Sequence, residues 1–87
     1  MIMNTNKNEI LSKLSYTELV YGRINKKLST AYSKQEVEDL VYDSIDNAGE
    51  NCFEKIGKNF YITNSDKNIR ITVNSDTYRV ITVDRIK

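Results

Sequence analysis

The stretch GKNFYITNSDKNIRITVNSDTYRVITVDRIK, Gly57 to Lys87, decides the fold, because its apolar residues recur at every second position. A period of two is the signature of a strand with one buried face. Phe60, Ile62, Ile69, Ile71, Val73 and Val80 fall on one side, and Tyr61, Arg70, Thr72 and Arg79 on the other. With the preceding segment, four strands are predicted: Cys52 to Ile56, Asn59 to Thr63, Asn68 to Asn74, and Thr77 to about Arg85. Gly57-Lys58, Asn64 to Lys67 and Ser75-Asp76 separate them, lengths suited to antiparallel hairpins. A β-meander is the economical topology.

Treating Ser75-Asp76 as a two-residue loop pairs Val73 with Tyr78, Thr72 with Arg79, Ile71 with Val80 and Arg70 with Ile81. An Asn64 to Lys67 loop pairs Ile62 with Ile69, Tyr61 with Arg70 and Phe60 with Ile71, and the first hairpin pairs Phe53 with Ile62 and Glu54 with Tyr61. All three registers agree on the buried side, to which Phe53 and Tyr78 also belong. They leave Glu54, Tyr61 and Arg70 in one cross-strand row and Asn59, Thr72 and Arg79 in the next. Ile81 and Val83 then lie on the polar side, which implies cover on both faces of the last strand.

Upstream the period changes to that of a helix. Ile10, Leu11 and Leu14 predict a short helix over Lys7 to Leu14, after a frayed Met1 to Asn6. Ser15-Tyr16-Thr17-Glu18 has the form of a capping box opening a helix from Tyr16 to about Leu28, with the stripe Tyr16, Leu19, Val20, Ile24 and Leu28. Arg23, Lys26 and Lys27 complement its negative end. Gly22 inside it reads as a place of close packing. Ser33-Lys34-Gln35-Glu36 repeats the box ahead of Val37, Leu40, Val41, Ile45 and Ala48, up to a stop at Gly49. Glu36, Glu38, Asp39, Asp43 and Asp46 form the other side of this helix, a solvated face or a partner-binding stripe.

The expected fold is therefore α+β: two or three N-terminal helices packed on one face of a three- to four-stranded antiparallel β-meander. A single domain over residues 1–87 is expected, its helical part at 7–49 and its sheet part at 51–86. With 87 residues there is room for one core, so a working site has to be a surface groove or an exposed sheet face. The single Cys52 and the absence of histidine exclude an intramolecular disulfide and the usual Cys/His zinc site. No membrane span, signal peptide, metal or cofactor motif is found, and a cytoplasmic location is expected. The formal net charge of +1 divides unevenly: residues 1–50 hold six Lys/Arg against eight Asp/Glu, residues 51–87 seven against four. An anionic ligand would prefer the strand half, although the excess is far smaller than a dedicated DNA binder shows.

A carboxylate, a phenol and two guanidinium groups on a rigid sheet are the ingredients of metal-independent RNA cleavage. A base takes the 2′-hydroxyl proton, arginines stabilise charge developing at phosphorus, and an acid protonates the leaving oxygen. Arginine's planar fork suits phosphate. The candidate catalytic residues are Glu54, Tyr61, Arg70 and Arg79, and the candidate phosphate- or partner-binding residues are Arg70, Thr72, Arg79 and Lys58. The same residues also make sense as ordinary cross-strand pairs on a solvated face.

The segments Gly57 to Thr63, Asn68 to Asn74 and Thr77 to Val83 resemble the hairpins of the barnase, EndoU, colicin and RelE-like ribonuclease superfamily. That resemblance covers the last third of the chain. It implies a toxin-like ribonuclease or an inactive relative, with Arg70, Thr72 and Arg79 on phosphate and Tyr61 or Glu54 in proton transfer. The whole chain also resembles a family of small bacterial proteins of unknown function, through Tyr16-Thr17-Glu18-Leu19-Val20-Tyr21 and the final strands. Three functional classes compete. The first is an RNA-binding or ribonuclease-like protein. The second is a non-catalytic phage or mobile-element inhibitor of a host defence nuclease such as a CRISPR effector. The third is a homodimeric module joined through an edge strand.

Overall fold

The computed structural model describes residues 3–86, with side chains described from residue 7 onward. Three helices, α1 (Met3–Lys13), α2 (Glu18–Leu28) and α3 (Lys34–Asp46), lead through a 3-10 turn at Glu50–Cys52 into four strands. The strands β1 (Phe53–Ile56), β2 (Asn59–Asn64), β3 (Ile69–Asn74) and β4 (Val80–Arg85) form an antiparallel sheet in chain order. The α+β meander expected from the periodicity is what forms. The radius of gyration is 11.9 Å, against about 12 Å for a compact chain of this length.

The core lies between the helices and one sheet face. Ile10, Val20, Ile24, Leu28, Val37, Val41 and Ile45 meet Phe60, Ile62, Ile69, Ile71, Val73, Val80 and Val83. Phe53, Tyr78 and Leu40 pack against this cluster from its rim. Burying each of these larger side chains contributes about 1.5 to 3 kcal/mol, which concentrates the stability here.

The β1–β2 register is as expected, Phe53 opposite Ile62 and Glu54 opposite Tyr61. The next two are not. Ile62 pairs with Ile71, Tyr61 with Thr72 and Thr63 with Arg70, a shift of two residues. The cause is Asn64, which stays in β2 and is buried: its Nδ2 donates to the Ser44 carbonyl of α3 at 2.9 Å, and its Oδ1 accepts from the Lys67 amide at 3.0 Å. The turn therefore falls on residues 65–68, with Asn68 at φ 57. An even shift preserves which face each side chain takes, so the apolar side survives while the row partners change.

Between β3 and β4 the tight Ser75-Asp76 loop gives way to a longer connection. The Asn74 side chain accepts from the Asp76 and Thr77 amides at 2.8 and 2.9 Å, and Tyr78 takes φ 60. Val73 then pairs with Val80 and Thr72 with Thr82, which leaves Ile81 as an extra residue on β4. This bulge explains Val83: it swings onto the core face and is fully buried, instead of lying on the polar side.

The helices carry three corrections. α1 begins at Met3, so it includes residues expected to fray; residues 1 and 2 lie outside the described residues. α2 begins at Glu18 with Thr17 as N-cap and no side-chain cap bond. Ser15 is drawn away because its amide donates to the Tyr78 carbonyl and its own carbonyl accepts from the Val80 amide, both at 2.9 Å. It thereby makes an isolated parallel bridge to Arg79, the residue just ahead of β4. Leu19 does not join the buried stripe of α2, and a Cβ on Gly22 would meet nothing within 4 Å, so that glycine serves no close approach. The second capping box forms as read: the Ser33 hydroxyl accepts from the Glu36 amide, and the Glu36 carboxylate accepts from the Ser33 amide.

Candidate functional site

The corrected registers rearrange the outer sheet face. Glu54, Tyr61, Thr72 and Thr82 now form one cross-strand row, and Thr63, Arg70 and Asp84 the next. Glu54 and Tyr61 remain direct neighbours. Arg70 moves away from Tyr61 and faces Asp84, whose carboxylate accepts from Lys27 Nζ of α2 at 2.7 Å. Thr72, only 6% exposed, is covered by its neighbours. Beside it the Thr82 hydroxyl is buried without a partner among the described residues. Lys58 is exposed in the β1–β2 turn, where Gly57 supplies the positive φ of 62 that the tight hairpin needs.

Arg79 stands apart from the other three. With strands spaced about 4.8 Å, Glu54 on one edge and Arg79 beside the other are about 14 Å apart across the sheet. Of the four candidate catalytic residues, Glu54 and Tyr61 are cross-strand neighbours, Arg70 stands in the adjoining row and Arg79 lies across the sheet from Glu54. Among the described residues, no group of three or more Cys, Asp or Glu is placed to hold a metal ion.

Arg79 instead lines an open groove of about 220 Å³ at the corner between α2 and β4, with Thr17, Leu19, Val20, Arg23 and Ile81. Leu19 is 82% exposed there. Neither Arg23 nor Arg79 has a carboxylate partner among the described residues. Leu19 and Arg23 are four positions apart on a helix, so they share a face. That spacing was visible in the sequence. The sequence did not show which side of α2 meets the sheet: Val20, Ile24 and Leu28 set that orientation and leave Leu19 outside.

A second polar cluster holds the helices to one another. Tyr21 donates its hydroxyl to Glu38 of α3 at 2.6 Å, and its ring stacks on Tyr16 at 5.6 Å between centroids. Lys34 Nζ lies 5.4 Å from the Tyr21 centroid and pairs with Glu18 at 2.7 Å. The bond to Glu38, with some desolvation and the charges of Glu38 and Glu18, pushes the Tyr21 phenol up to about 12. Burial, then Glu38, raises Tyr16 as well. Of the acidic α3 stripe, Glu36 caps its own helix, Glu38 holds Tyr21 and Asp39 accepts from Gln35. Much of that stripe is therefore structural.

The sequence profile of a family described as a protein of unknown function, DUF3781, matches residues 8–84. The chain belongs to this family. The DUF3781 match runs from α1 into β4, so the helical layer and the sheet are both part of the family unit. No curated protein and no solved structure matches the chain. No helix among the described residues of this DUF3781 member is long and apolar enough to cross a membrane.

Proposed function

We propose that the chain is a non-catalytic binding protein that docks an acidic surface of a protein partner through its α2–β4 corner. The observation that carries this reading is Leu19, 82% exposed on a helix whose other aliphatic contacts are buried, standing beside Arg23 and Arg79, which have no carboxylate partner among the described residues. A leucine left in water forgoes about 1.5 to 3 kcal/mol of burial, which a covering partner recovers. Arginine is among the residues enriched at interface hot spots, and carboxylates on the partner would complement it. An inhibitor that blocks a nuclease by occupying its surface, as a phage or mobile-element product would, belongs to this class.

A photo-crosslinking residue in place of Leu19 tests it in cells. The expected result is one dominant protein adduct, lost when Arg23 and Arg79 are both changed to Glu and regained when the partner's contacting acids are reversed to Lys. Unchanged crosslinking after the double reversal would refute the charge complementarity.

One observation favours a second reading, RNA contact or cleavage on the outer sheet face. Glu54 and Tyr61 are direct cross-strand neighbours there, with the exposed Arg70 in the adjoining row. Overexpression with sequencing of RNA ends separates the two. Site-specific cleavage that disappears in Glu54→Gln supports a ribonuclease, whereas intact RNA and unimpaired growth support the binding protein.

A further inference from the structure

At the far end of α2 from Leu19, a second cavity opens with a different character. Its volume is about 230 Å³, below the roughly 300–1,000 Å³ of pockets for drug-sized molecules. Leu28, Leu40 and Ile69 make an apolar floor, and Thr30, Tyr32, Lys67 and Arg85 stand around it. Leu28 and Ile69 are each only 4% exposed, so the floor is continuous with the core.

Two cations converge on this floor from separate elements. Arg85 is the cross-strand partner of Ile69, so it is a charged residue on the core side at the end of β4. One of its guanidinium nitrogens donates to the Leu28 carbonyl, which fixes the head group at the cavity, while its other N–H groups have no partner among the described residues. Lys67 comes from the β2–β3 turn, and its ammonium has no carboxylate partner among the described residues. Asp84, next to Arg85, is engaged by Lys27.

The walls are already set. The Asn25 side chain accepts from the Thr30 hydroxyl at 2.8 Å and the Tyr32 amide at 2.9 Å, and donates to the Tyr32 carbonyl at 3.0 Å. Asn64 holds the Lys67 amide at 3.0 Å and is itself anchored in α3. A ligand therefore meets a frame that needs little ordering. The negative end of α2 also lies here, worth about half an elementary charge. The Ser29 and Thr30 amides and Arg85 already cover carbonyls of that last turn, so two full positive charges outweigh it.

We propose that this cavity binds a small organic carboxylate with an apolar, preferably aromatic, body. The carboxylate sits between Lys67 and the free edge of Arg85, where the planar guanidinium gives paired bonds. The body lies on Leu28, Leu40 and Ile69 with Tyr32 beside it, where ring-to-ring contact favours an aromatic group. The site is separate from the α2–β4 corner and stands or falls independently of it.

Titrating the isotope-labelled protein with phenylacetate, phenylacetamide and inorganic phosphate tests the assignment by amide chemical shifts. Phenylacetate should shift Thr30, Tyr32, Lys67 and Arg85 in a saturable way, with about tenfold weaker binding of the neutral amide. Lys67→Gln, at an exposed turn, should weaken phenylacetate by a similar factor and leave the melting temperature unchanged. Leu19→Asp should not alter binding. Equal affinity for phenylacetamide, the same shifts from phosphate, an unaffected Lys67→Gln, or no saturable shift would each overturn it.

Discussion

Tyr21 shows how a single bond ties a residue to pH. Its phenol is held neutral to about 12 in the folded protein against 10.0 for the free group, chiefly because it donates to Glu38. Below 10 both folded and unfolded chains keep the proton, and the bond's contribution is complete. Above 10 the unfolded chain ionises first, so stability falls as pH rises through the folded value. Unfolding midpoints in urea should therefore decline between pH 10 and 12, and Tyr21→Phe should flatten that decline while lowering stability at neutral pH. Tyr16, raised in the same direction, adds to the effect. A wild-type decline no steeper than that of Tyr21→Phe would count against the Glu38 bond. No sequence signal pointed to this pair, because Tyr21 and Glu38 meet only after two helices have packed.

The helices and turns divide into what local chemistry dictates and what distant partners override. Ser33 with Glu36 forms its box because both groups lie within one turn, and Ser33→Ala should cost about 0.5 to 2 kcal/mol in denaturant titration. The same pattern at Ser15 and Glu18 fails because β4 captures the Ser15 backbone and Lys34 takes the Glu18 carboxylate. Gly22 lies exposed in α2 with open space around it, so Gly22→Ala should stabilise by about 0.8 to 1 kcal/mol, read as a raised melting temperature. A drop instead would mean a clash the backbone does not reveal. For the strands, alternation and the β1–β2 register were legible, and the two later registers were not. Turn length depends on where Asn64 and Asn74 place their side-chain bonds, one of them to a helix twenty residues away. The β2–β3 shift set by Asn64 and the longer connection set by Asn74 relocated the arginines on which the sheet-face site depended, and the bulge at Ile81 turned Val83 into the core.

Taken as a whole, a chain of 87 residues has little stability in reserve. Ile71 is fully buried at the centre of the core, between β2 and β4. Ile71→Ala should cost about 2 to 5 kcal/mol, a large part of the 5–15 kcal/mol typical of a domain. Chemical denaturation should show the loss, and a change under about 1 kcal/mol would contradict the packing described. Leu19→Asp should leave the melting temperature within a few degrees of wild type, since that side chain touches solvent; a large loss would assign Leu19 to structure.

The short parallel bridge from Ser15 to the start of β4 acts as a latch between the beginning and the end of the polypeptide. A fastening closed across so much intervening chain is expected to form late and open early, since its loop entropy is not recovered until the sheet exists. Deuterium uptake at the Ser15 and Val80 amides should then rise in step, well before the interior of β3 gives way, and the release would momentarily bare the rim of β4 to whatever strand is nearby.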